Sequence, residues 1–577
     1  MTSRLGRALA SVTGCALLAA CTSMPTDGPV REPQVSTATD DAPGISFDPR
    51  PPQAGESPTD IVEGFLEAMK ATPITTTVAR QFLTSDAADA WAPEEQVITY
   101  AEPGPPSGEA FVQVPLTDIN FYDDRGAWQR SSPGRTLELG LVQEDGEWRI
   151  DALPDALIVP ESWFGDQYQR ESLYYLDPTA EVLVAEPVYV PRGDRSASSL
   201  VRGLVTPLPA ELTGVATTFF PAGTRDGLSV PIIGGIAVVD LSGDPAAVDE
   251  ETGRRMLAQL AWTLRQDPRV RAIQLSVGDR AITVPEGSSE GGLDAGNPFD
   301  PDGQRPDPDL YALEDGRVVS GTIDALAGTL GPLGGDGYDV RSIGVSISGS
   351  HVAAVSTSGT DLLLAPTQAP DGEVSTPVQG ATDLDTPHWD YRDRIWVLDR
   401  GAGRARVLVV TDGVAGEVTV PGVTGRSVKK ILVSRDGSRL VAVVRGRAAD
   451  RVVSTRILHD ATGTVLGATP LQQLPLPAEA SPRVRDVGWR SPTSIAVLRK
   501  INADFSLVRT VAVEGAPGDV ETGGANLVRG PTRSLVSAPV EGSDVYALGP
   551  NLFANVVRPE RPVPTLPEGL SALTYVG

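Results

Sequence analysis

Hydrophobic positions follow three successive patterns along the chain. Behind Arg4 and Arg7, residues Ala8 to Ala20 form one mostly apolar run of 13 residues. This is too short to remain as a membrane-spanning helix, which needs about 20 residues. Its basic, apolar and small-residue zones predict a cleaved secretory leader over 1–20. Beyond a Pro/Thr-rich stretch, Ser57-Pro58-Thr59-Asp60 supplies an N-cap, a first-turn proline and an acid, followed by Ile61, Val62, Phe65, Leu66 and Met69 at helical spacing. Short alternating runs then predict strands at Ala110 to Val114, Asp118 to Tyr122, Thr136 to Gln143 and Glu147 to Ile150, the last after the Glu144-Asp145-Gly146 turn. A helix followed by antiparallel strands gives an α+β domain over 56–165.

A second α+β pattern occupies 170–285. Strands are expected at Leu173 to Leu176, Val182 to Pro187, Leu228 to Ile232, Ile236 to Leu241 and Val270 to Val277, with helices at Ser199 to Leu204 and Ala246 to Gln266. Tyr174-Tyr175, Phe220-Pro221-Ala222-Gly223-Thr224 and Val238-Val239-Asp240-Leu241-Ser242 stand here in order, with a long helix and a closing strand after Asp267-Pro268. In that order the segment resembles the GerMN (sporulation and germination) domain. Residues 286–309 are Gly, Pro, Asp and Ser without apolar period and predict a linker.

From Leu310 helical period disappears. Short strands recur between Gly, Asp and Ser turns, as at Val345 to Val355, Trp389 to Asp399, Val433 to Val444, Val487 to Leu498 and Asp544 to Leu548. Starts about 40 to 55 residues apart suit one four-stranded blade per repeat, so 310–577 is expected to form a β-propeller-like domain.

Composition adds exclusions. At roughly 100 to 200 residues per domain, 577 residues predict three or four domains. The formal charge of −27 repels phosphate backbones, so nucleic acid is not an expected partner. Cysteine occurs only at Cys15 and Cys21, and Cys15 lies inside the leader, so Cys21 has no internal disulfide partner after cleavage. Leu18-Ala19-Ala20-Cys21 resembles a bacterial lipobox, which implies cleavage before Cys21, S-diacylglycerol on its thiol and an acyl group on its amine. Two or more acyl chains anchor stably where one is marginal. The plainer alternative is an ordinary leader with a cysteine beside the cut. Residues 21–55, rich in Pro and Thr and poor in large apolar residues, read as a tether. The expected location is the extracytoplasmic face of the cell membrane.

Catalytic chemistry finds no motif. His351, His388 and His459 all fall in the propeller-like region, and no G-x-S-x-G elbow accompanies them. Asp300, Asp302, Asp307 and Asp309 are interrupted by prolines and lack the Gly and closing Glu of a helix-loop-helix calcium loop. The glycine-rich run 328–337 lacks a Gly-Lys-Ser/Thr ending. The reading is a non-enzyme without cofactor or metal, whose tryptophans serve its cores. The order of lipobox, tether, α+β domain, GerMN-like domain and degenerate propeller resembles the actinobacterial lipoprotein LpqB family. That resemblance implies a non-catalytic accessory of a two-component sensor kinase (MtrB-like), contacting its extracytoplasmic domain and affecting envelope homeostasis and division. Binding or hydrolysis of cell-wall polysaccharide is the alternative.

Overall fold

The computed structural model describes residues 46–577 except 228, 284–289, 304, 336–337, 477, 518–524, 541, 550–551 and 561–565. The leader, with Leu18, Ala19, Ala20 and Cys21, and the tether up to residue 45 lie outside the described residues. The tether's expected end at 55 is too late. Phe47 exchanges two backbone hydrogen bonds with Thr72 (3.0 Å each), and the Gly55 amide donates to Glu147, so 46–55 is laid against the first domain.

Helix α1 (Pro58–Ala68) starts at a reciprocal cap in which the Ser57 hydroxyl accepts from the Asp60 amide and the Asp60 carboxylate accepts from the Ser57 amide. Its buried face carries Ile61, Val62, Phe65 and Leu66. Phe65 meets Trp91, which follows α2 (Ser85–Ala90), at 5.6 Å between ring centroids. These side chains cover a five-stranded sheet of β1 (Val97–Tyr100), β2 (Phe111–Tyr122), β3 (Trp128–Glu144), β4 (Glu147–Ala152) and β5 (Leu157–Pro160), in the order β4-β3-β2-β1-β5. The two runs expected at 110–114 and 118–122 are one strand. Thr117 pairs with Gly134 and Ile119 with Ser132, so the ladder continues past Asp118, which takes a left-handed φ of 45°.

Helix α3 (Glu161–Gln167) leads into a two-stranded hairpin, β6 (Tyr168–Leu176) with β7 (Leu183–Pro191). At this seam Tyr122, Phe164, Tyr168 and Tyr189 pack ring against ring at centroid distances of 4.4 to 5.7 Å. After α4 (Ser196–Val205) come β8 (Arg225–Asp226), β9 (Ile232–Ile233), β10 (Ile236–Ser242), α5 (Glu250–Leu264), β11 (Ala272–Val277), β12 (Arg280–Ala281) and β13 (Glu290–Gly292). β10 and β11 pair in parallel, and α5 is their crossover. Of the strand expected over 228–232, residue 228 lies outside the described residues and only Ile232 is in a strand, at the start of β9. Pro231 has no amide for a ladder, and the Val230 amide donates to the Ser198 hydroxyl at 2.9 Å.

The linker expected over 286–309 is corrected at 290–299. β13 pairs with β11, and a 3-10 turn at Leu293–Phe299 packs on α5. Trp262 Nε1 donates to the Gly296 carbonyl at 2.9 Å, and Phe299 joins Tyr174, Leu176 and Trp262 in one cluster. A Cβ at Gly296 would lie 2.3 Å from the Trp262 ring, so this close approach requires glycine.

The remaining chain forms six sheets among the described residues, arranged as blades of a propeller. The first takes Leu310–Glu314, Arg317–Thr322 and Ala325–Gly328 and receives its innermost strand from the far end of the chain, Leu570–Thr574. Four sheets follow within 340–378, 388–418, 428–473 and 484–529, and a three-stranded sheet within 534–555. Their innermost strands are Val340–Val345, His388–Trp389, Val428–Val433, Val484–Ser491 and Ser534–Val536. Alternate Val, Ile, Leu and Ala of neighbouring blades interdigitate into the inter-blade cores.

Candidate functional site

The β6–β7 hairpin is apolar on both faces. Leu173 and Tyr175 enter the core beneath α4, whereas Tyr174 and Leu176 meet Trp262 of α5. Several of its polar side chains meet the propeller. Glu186 in β7 accepts from Arg439 and from Arg456, each at 2.7 Å, on the fourth blade. Arg170 in β6 grips Glu514 through Nε (3.0 Å) and Nη2 (2.9 Å) and reaches the Thr493 hydroxyl and carbonyl on the fifth blade. On the third blade, the Tyr391 hydroxyl donates to Asp177 at 2.7 Å and Arg392 pairs with Glu181 at 2.9 Å. A backbone bond from the His459 amide to the Gly214 carbonyl (2.7 Å) completes the seam.

Burial alone would raise the Glu186 pKa, but the guanidinium groups of Arg439 and Arg456 outweigh it and hold the carboxyl down at about 2. Two cations and one anion buried together gain little net stability, because desolvation offsets attraction. Their geometric demands instead fix one orientation of the second domain on the turns between the first and second strands of the blades.

The inner strands run toward that covered face and enclose a channel of about 270 Å³. All six contribute to its wall, among them Ser342, His388, Arg435, Asp486, Ser537 and Thr574. Arg435 lies at the end nearest the second domain, in the turn Ser434-Arg435-Asp436-Gly437, which the Asp436 carboxylate closes by accepting from the Ser438 amide and hydroxyl at 2.8 Å each. Arg341 and Lys430 stand at the opposite end, Arg341 bound to Asp383 and Lys430 to Asp486, both at 2.6 Å.

The three histidines are not brought together. His351 opens a strand of the second blade, with Nδ1 3.0 Å from the Ser350 hydroxyl; His388 lines the channel on the third; His459 ends a strand of the fourth at the domain seam. Asp300 accepts from the Asp302 amide and Asp307 from the Asp309 amide and Tyr311 hydroxyl, so these acids close turns. Among the described residues no group of three or more His, Cys, Asp or Glu is placed to hold a metal. Trp396, with Nε1 on Asp390 at 2.7 Å, and Trp489, with Nε1 on the Val433 carbonyl at 3.0 Å, are core side chains with satisfied donors. Glu186 and Arg170 were not singled out by motif. The available signal was an acid inside the apolar run Val182 to Pro187.

Burial pushes the pKa of His388 down to about 3, helped by Lys430, and that of His459 down to about 4, helped by Arg394. Both are neutral in the folded chain, whereas the unfolded state protonates near 6.5. Their contribution is therefore complete above pH 6.5 and lost as pH falls toward 4 and 3. Urea unfolding midpoints are expected to be level from pH 7 to 8.5 and to drop steadily below 6.5. His388→Asn should remove up to about 1.4 kcal/mol per pH unit of that slope, and an unaltered profile in the variant would contradict the assignment.

Three family models match successive parts of the chain: the N-terminal domain of lipoprotein LpqB at 51–165, sporulation and spore germination at 172–283, and the lipoprotein LpqB β-propeller domain at 316–539. The chain belongs to the LpqB lipoprotein family. Relatives named lipoprotein LpqB include those of Thermobifida fusca (27% identical, covering 93% of this chain and 94% of the relative), Streptomyces coelicolor (29%, 88% and 88%) and Mycobacterium bovis BCG (28%, 93% and 92%). Among solved structures, the tandem GerMN domains of GerM from Bacillus subtilis align at 21% identity with a TM-score of 0.18, covering 22% of this chain and 43% of that one. A chain of a nidogen/laminin complex aligns at 10% and 0.33, covering 46% and 97%. Neither likeness bears on what the LpqB-family chain binds. Among its described residues no helix is long and apolar enough to cross a membrane.

Proposed function

We propose that the chain is moored by lipid on Cys21 to the outer face of the cell membrane, where it acts as a non-catalytic accessory of a two-component sensor kinase. The observation that supports a presenting role is the seam at Glu186, Arg439 and Arg456, which joins the second domain and the propeller into one composite surface. The kinase as partner, MtrB-like, is what resemblance to the LpqB family implies. Confinement of both partners to one membrane raises their effective concentration, so a weak contact is well occupied.

Cys21→Ala is expected to move the protein from the membrane to the soluble fraction and to lower its crosslinking to the kinase by at least about 10-fold, since multivalent gains span roughly 10² to 10⁴. Retention in the membrane fraction would refute the anchor. Crosslinking in intact cells, with the lipidated full chain as bait, tests the partner. Adducts with the kinase's extracytoplasmic domain support the reading, and saturable capture of wall polysaccharide without kinase adducts overturns it.

A further inference from the structure

The channel wall holds a charge that the fold leaves unmatched. Arg435 is only 4% exposed, yet its guanidinium makes one hydrogen bond, from Nη2 to the Val576 carbonyl at 2.7 Å. Its Nε and Nη1 have no partner among the described residues. Burial disfavours its charged form, and the charges of Asp302 and Asp300 offset that only in part. A buried cation without a bonded anion is costly, and several other arginines of this chain avoid the cost. Arg394 is matched by Asp390 at 2.7 Å, and Arg439 and Arg456 by Glu186.

The same wall carries further unmatched polar atoms: Ser342 Oγ, His388 Nε2 and Ser537 Oγ, none with a partner among the described residues. The wall's carboxylate, Asp486, is already committed. It accepts from Lys430 at 2.6 Å and from the amides of Val487 and Leu535 at 2.9 and 2.8 Å. At the open end Arg341, Arg400, Lys429, Lys430 and Arg485 face Asp383, Asp385 and Asp486, an excess of cations in a chain whose overall charge is −27. Lys429 donates only to the carbonyls of Val484 (2.8 Å) and Arg485 (2.6 Å), so its charge remains free of any carboxylate contact there. A local positive field at a concave mouth concentrates anions.

We propose that the central channel of the propeller is a binding site for a small oxyanion, a phosphate or a short carboxylate, seated against Arg435. The volume of about 270 Å³ suits such a molecule with a few waters and excludes a folded peptide or a polysaccharide chain. Arg offers a planar fork of donors that matches either oxyanion in bidentate fashion. The rim cations draw the anion in, and the committed Asp486 does not oppose it.

The test is calorimetric titration of the chain from residue 22 onward with sodium phosphate and, separately, sodium malonate, at constant ionic strength held by chloride. Saturable binding of at least one anion is expected, weakened at least 10-fold in Arg435→Gln and less in Arg435→Lys. A preference for one titrant identifies the class. No saturable binding of either anion, or equal affinity in Arg435→Gln, overturns the proposal. If Arg435→Gln does not fold, wild-type crystals soaked in selenate decide by anomalous scattering. A peak beside Arg435 in the channel supports the site, and an empty channel rejects it.

Discussion

Glu186→Gln is expected to destabilise the folded chain by about 3–5 kcal/mol, because it leaves Arg439 and Arg456 buried beside a neutral amide. The loss should appear as separate unfolding of the second domain and the propeller, and as new proteolytic cleavage in 300–309. Replacing all three residues by apolar side chains of similar volume should restore most of the stability, because the desolvation cost disappears with the charges. Acid acts at the same place. The Glu186 pKa is held at about 2 against an ordinary 4.5, so its contribution is present in full above 4.5 and fades as pH falls from there toward 2. That shift corresponds to about 3 kcal/mol. Calorimetric scans at pH 7 and pH 3 should therefore differ more for the wild type than for Glu186→Gln. Equal differences would remove the triad as the source of orientation.

Removal of residues 570–577 should be more damaging still. Leu570–Thr574 is the innermost strand of the first blade, pairing with Leu310–Glu314, and its neighbours Thr574 to Gly577 line the channel. Without it the ring is open, the inner edge of Leu310–Glu314 is unpaired, and Tyr311, Leu313 and Val345 lose cover. The expected result is a chain that retains the first two domains but whose propeller is protease-sensitive and aggregates, as judged by size-exclusion profile and near-UV circular dichroism. A monodisperse product with native proteolytic resistance would show that ring closure is dispensable.

Both α+β folds and the bladed pattern were legible because they rest on local signals. The Ser57 to Asp60 cap, the helical period of Ile61 to Met69 and the turn-separated runs after Leu310 each carry their own periodicity. What escaped was set by tertiary contact. Leu293 and Phe299 anchor the segment read as a linker, yet two apolar residues in a 3-10 turn present no period to detect. Pro115 to Thr117, left between two expected strands, belong to one continuous ladder that only the facing strand reveals. The domain seam was invisible for the same reason. Glu186 and Arg439 are 253 positions apart, and no spacing rule links them. Arg435 looked like an ordinary turn residue; its solitude in the channel emerges only when six strands converge.

The pairing of residue 311 with residue 574 also orders events in time. A chain that emerges from its N-terminus can complete both α+β domains early, while the first blade waits for the last strand, roughly 260 residues later. Until then each finished blade exposes apolar flanks with nothing beside them, and such long-range closure is slow. The pre-formed second domain, already carrying Arg170, Asp177 and Glu186 on its hairpin, is in place to collect the third, fourth and fifth blades as they appear. It thereby serves as a template on which an unfinished ring is held together until its clasp arrives.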